Sequence, residues 1–113
     1  MTKPFQHVPG TIYLVTYTYD SGEDNCAAND YPIPTTIDDA IHLVDCANDY
    51  VTDCKIRAIH DEDGTVRDVT EDIAAIIADG HDFSDGSWPT WIDYPSFKLD
   101  RDALWARDGY VSE

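Results

Sequence analysis

The sequence predicts an α+β fold, a small antiparallel-containing sheet packed by two helices in one domain over residues 1–113. Three observations carry the prediction. Residues 11–19, Thr-Ile-Tyr-Leu-Val-Thr-Tyr-Thr-Tyr, are β-branched or aromatic at all but one position, as strands are. Two segments, 36–50 and 71–79, space their apolar residues at the helical period. Between them, residues 53–69 hold two short strand-like runs separated by Asp61-Glu62-Asp63-Gly64, a hairpin pattern.

Each element follows from its residues. Behind the first strand, residues 20–35 bring Asp, Ser, Gly, Asn and two prolines, which read as a long acidic loop. Thr35 or Thr36 is placed to cap the first helix, with Asp38 and Asp39 in its first turn, where the helix dipole favours carboxylates. Ile37, Ala40, Ile41, Val44 and Ala47 form its apolar face. Thr70 is the expected cap of the second helix, with Ile73, Ile76 and Ile77 inward and Gly80 as its stop. Residues 81–99 are irregular and aromatic, and Asp100 caps a short C-terminal helix over 101–107. The aromatic tail, with Phe83, Trp88, Trp91, Tyr94, Phe97 and Trp105, either closes a small core or exposes a patch of the kind that anchors protein interfaces.

Charge narrows the function. Nineteen Asp and four Glu face seven Lys plus Arg, a formal charge of −16. No Lys or Arg occurs between Lys3 and Lys55, a stretch that holds nine acids. Such a field repels nucleic acids and anionic membranes, whose binding rests on Lys and Arg, and attracts a basic partner. With three Cys, no 18-residue apolar run and no apolar core near the N-terminus, the expectation is a cytoplasmic chain with free thiols.

The acids are also patterned. Asp38, His42, Asp45 and Asp49 fall at i, i+4, i+7 and i+11 on the first helix, with Asp39 beside them. The helical rise puts Asp38 and Asp45 about 10 Å apart and Asp45 and Asp49 about 6 Å apart. The second interval matches phosphates along a nucleic-acid strand, so the stripe suits a groove built for phosphates. Asp61, Glu62 and Asp63 at the hairpin tip form a second cluster, with Asp68, Glu71 and Asp72 following. A plain solvated helix face and ordinary Asp-Gly turn chemistry account for the same residues.

Catalytic patterns are missing. No G-x-S-x-G or Gly-rich phosphate loop is present, and the spacing around Gly64 fails the EF-hand pattern at Ile59. His42 and Cys46 share one helix face and Cys54 follows, yet no C-x-x-C or H-x-x-x-H pair supports zinc. The expectation is a binding protein with no enzymatic activity, cofactor or metal.

In size and charge the chain resembles the small acidic inhibitors encoded by phages and mobile elements, including DNA-mimic anti-restriction and anti-CRISPR proteins. The resemblance lies in composition and transfers no catalytic residues. It implies an inhibitor in the host cytoplasm that occupies the DNA- or RNA-binding surface of a basic protein, such as a CRISPR effector or restriction enzyme. Asp38, Asp39, Asp45 and Asp49 are the first expected contacts, then Asp61, Glu62 and Asp63. The alternatives are a salt-adapted halophile domain and an interaction module or dimeric accessory protein without mimicry; an exposed aromatic patch would equally suit a homodimer.

Overall fold

The computed structural model describes residues 8–27, 31–47, 50–84 and 88–108. They form an α+β fold around a four-stranded antiparallel sheet, as the sequence predicts. In chain order the elements are β1 (Thr11–Tyr19), β2 (Asp24–Cys26), α1 (Ile37–Asp45), β3 (Val51–His60), β4 (Val66–Asp68), α2 (Thr70–Gly80) and α3 (Arg101–Asp108). Two 3-10 turns, Thr90–Asp93 and Pro95–Phe97, precede α3. The strand order is β2-β1-β3-β4.

β1 and β3 build the centre. Tyr17 lies opposite Cys54, Val15 opposite Ile56 and Tyr13 opposite Ala58. The period-2 alternation of β1 therefore sends Thr11, Tyr13, Val15 and Tyr17 to one face, where all four are buried. Both α1 and α2 pack on that face, α1 against β1 and α2 against β3. Ala40, Leu43 and Val44 of α1 and Ile73, Ala74 and Ile77 of α2 fill the space between. Ile56 and Ile73 are completely buried, each contributing about 1.5–3 kcal/mol by leaving water.

The opposite face carries Ile12, Leu14, Thr16, Lys55, Arg57 and Ile59, which are half-buried or exposed. β4 pairs with Arg57, Ala58 and Ile59 alone. Beyond it, the Thr70 side chain continues the edge by bonding both backbone groups of Ile56. Farther along, Asp53 accepts bonds from the Ser96 N–H and hydroxyl, tying the second 3-10 turn to β3. The aromatic segment is core: Phe83, Trp91, Tyr94 and Phe97 are buried and Trp88 half-buried. The Trp105 side chain lies outside the described residues.

Four expectations change in detail. The acidic loop contains a short edge strand, β2, because Gly22 at φ 89° turns the chain back so that Tyr19 bonds Glu23. The hairpin strand begins at Val51 and not at residue 53. Helix α1 ends at Asp45, short of residue 50. There the Cys46 and Ala47 N–H groups tighten onto His42 and Val44, and Asp20 then claims the Tyr50 carbonyl for the sheet. An acid in the last turn opposes the helix dipole, and β-branched Val51 and Thr52 favour the strand. Finally, Thr70 does not cap α2 through its side chain; its hydroxyl is held by Ile56, and Asp68 accepts the Thr70 N–H at 2.9 Å.

Candidate functional site

The acidic face rests on α1, and three anchors hold it. Thr36 caps the helix, its hydroxyl oxygen accepting from the Asp39 N–H at 3.1 Å. Ahead of the cap, the Pro34 carbonyl accepts from the Tyr13 N–H of β1 at 2.9 Å. Near the other end, the Tyr17 hydroxyl donates to the Leu43 carbonyl. Burial beside Cys54, Tyr31 and Cys46 pushes the Tyr17 pKa well up, so the phenol stays a donor. α1 therefore runs along β1 from the level of Tyr13 to that of Tyr17, about 13 Å at strand rise.

Asp38, Asp39 and Asp45 project from this helix and are exposed, as is His42. Asp38, His42 and Asp45 keep the predicted spacing on a real helix. Asp49 lies outside the described residues.

Asp61, Glu62 and Asp63 occupy the β3–β4 turn and are exposed. The turn closes through Gly64 at φ 66°, whose N–H bonds the His60 carbonyl, while His60 N–H bonds Thr65. Asp63 accepts from the Thr65 N–H at 2.9 Å, which lowers its pKa, and His60 Nδ1 lies 3.4 Å away. The Asp61 N–H bonds Gly10, fixing the tip beside the start of β1. Along β1 the order is thus hairpin tip, Asp38 end of α1, Asp45 end of α1.

Among the described residues the cations lie elsewhere. Arg67 pairs with Asp72, Lys98 with Glu71 and Arg101 with Asp93, at 3.8, 3.6 and 3.2 Å. Lys55 and Arg57 sit by register on the face opposite the helices, where they help hold the Asp68 carboxylate ionised behind its bond from Thr70. Among the described residues, no Lys or Arg pairs with Asp38, Asp39, Asp45, Asp61 or Glu62.

Other chemistry gains little support. Cys46 Sγ and His42 Nε2 approach to 3.5 Å on α1. Cys54 is completely buried, and burial beside Asp53 pushes its pKa up to about 12, making it a poor nucleophile or ligand. No three His, Cys, Asp or Glu side chains cluster to hold a metal among the described residues. No helix among them is long and apolar enough to cross a membrane.

The exposed apolar pair Tyr31 and Ile33, beside α1, was not legible in the sequence as part of this surface. The Pro residues around them gave only a loop signal. Comparison with protein-family models, curated proteins and solved structures finds no match to this chain.

Proposed function

We propose that this chain is an acidic binding protein that inhibits a basic nucleic-acid-binding protein by occupying its DNA- or RNA-binding surface. The observation that carries the reading is the row of carboxylates on α1 that no Lys or Arg pairs with among the described residues, held on a capped and anchored helix while Arg67, Lys98 and Arg101 pair with other acids. A fixed row costs less entropy to present than mobile acids, and long-range attraction steers it toward a positive groove. Asp38, Asp39 and Asp45 are the primary contacts, with Asp61, Glu62 and Asp63 extending them along the sheet. CRISPR effectors and restriction enzymes offer grooves of the required sign.

The test is charge reversal at constant net charge. Asp38→Lys with Asp45→Lys is compared with Asp79→Lys with Asp102→Lys for binding to a partner captured on the immobilised protein. The reading expects the first pair to weaken binding at least tenfold more than the second. Equal losses would leave net charge alone as the cause and remove α1 from the interface.

A further inference from the structure

A groove of about 270 Å³ opens between α1 and the segment before it, lined by Tyr31, Ile33, Pro34, Asp39, His42 and Leu43. Its walls are apolar yet left open: Tyr31 is 37% and Ile33 47% exposed. The backbone around them is held. The Pro34 carbonyl is bound by Tyr13, the Leu43 carbonyl by the Tyr17 hydroxyl, and Asp39 sits on the Thr36 cap. Asp39 brings a carboxylate that no Lys or Arg neutralises among the described residues. A slot with an aromatic ring, aliphatic surface and a carboxylate at its rim matches a side chain with an apolar stem and a cationic head.

We propose that this groove receives an arginine side chain of the partner, its stem against Ile33 and its guanidinium between Tyr31 and Asp39. The assignment rests on the reading of α1 as the partner-facing surface and adds what that reading lacks, a specific anchor. Arginine is favoured over lysine because a planar, weakly hydrated guanidinium stacks on an aromatic ring while bonding a carboxylate, which an ammonium does less well. A charge row alone supplies steering and little specificity; a buried anchor supplies the slow release. The −16 charge of the chain excludes an anionic occupant on the same grounds.

The probe is a tetra-arginine peptide, with tetra-lysine as its charge-matched control, titrated into the isotope-labelled full chain while backbone amide shifts are followed. The expected result is saturable binding, several-fold tighter for tetra-arginine, with the largest shifts at Ile33, Asp39, His42 and Leu43. Tyr31→Ser and Ile33→Ser, both at exposed positions, should each weaken tetra-arginine binding by roughly fivefold and bring it to the tetra-lysine level. Equal affinity for the two peptides, with both variants binding as the parent does, overturns the groove. If Asp38→Lys with Asp45→Lys still abolishes binding in that case, the acidic face stands and only the anchor fails. If that pair changes nothing either, both fail.

Discussion

The Thr70 side chain takes the place of a strand residue beside Ile56. Its hydroxyl oxygen accepts from the Ile56 N–H at 2.9 Å and donates back to the Ile56 carbonyl at 3.2 Å. Both residues are buried, so no water replaces these bonds when the side chain is lost. β4 stops at Asp68, and α2 begins two residues later. With the Val69 N–H also donating to the Ile56 carbonyl, the hydroxyl lets the chain leave the sheet and start a helix without orphaning the Ile56 N–H.

Thr70→Val keeps the shape and deletes the hydroxyl, leaving the buried Ile56 N–H unpaired while the Val69 N–H keeps the Ile56 carbonyl. The expected loss is about 1–3 kcal/mol, read as a fall in the urea midpoint at unchanged slope. Thr70→Ser restores the hydroxyl and should recover all but about 1 kcal/mol, the worth of one methyl. A larger loss in Thr70→Ser than in Thr70→Val would show that the methyl, and not the hydroxyl, matters.

Thr36→Ala removes the cap of a nine-residue helix, at a cost of about 1 kcal/mol. Because α1 carries the acidic face, partner binding should fall together with amide-exchange protection at its first turn. The urea slope should stay unchanged. Unaltered binding with lost protection would mean that the row does not need to be fixed.

Alkaline stability follows from the buried thiol and phenols. The pKa of Cys54 is pushed to about 12 against 9.0 in the unfolded chain, and that of Tyr94 to about 12 against 10.0. The unfolded state therefore loses its protons first. Stability is full below pH 9 and is lost as pH rises toward 12. Cys54→Ala should remove the decline between pH 9 and 10 while leaving the steeper tyrosine-driven part above it. A decline that starts at pH 9 in that variant would exclude the thiol as its source. Half-buried Cys26 and Cys46 should react with a thiol reagent in the native protein, and Cys54 only on unfolding.

Salt should act in opposite directions on folding and on binding. Screening relieves repulsion among the carboxylates of a chain at −16, so the Tm of the free protein should rise between 50 mM and 1 M NaCl. The partner complex should weaken by about tenfold or more over the same range, since its attraction is between exposed charges. A complex indifferent to salt would be held by an apolar interface instead.

Much of the fold was legible because its signals are local. The β-branched and aromatic run of β1, the Asp63-Gly64 turn, Thr36 at the start of α1 and Asp100 beneath α3 each state their role within a few residues, and Asp100 does accept from the Ala103 N–H. What escaped depends on partners distant in sequence. Asp24, Asn25 and Cys26 have no strand propensity of their own; they pair because Gly22 returns them to β1. The end of α1 is set by the sheet claiming Tyr50 and Val51, and Thr70 is diverted from capping by Ile56 fourteen residues earlier. On the acidic face, Asp38, Asp39 and Asp45 could be named from periodicity alone. The groove between Tyr31 and Asp39 could not, because it depends on the bond between Pro34 and β1.

The most direct test is a pull-down from nuclease-treated bacterial lysate on the immobilised protein, eluted in parallel with salt and with competitor duplex DNA. The account predicts that a nucleic-acid-binding protein is retained, then released both by salt and by DNA, because DNA and this chain occupy overlapping surfaces. A specifically bound protein that leaves with salt but ignores DNA, or no specific capture at all, would contradict it.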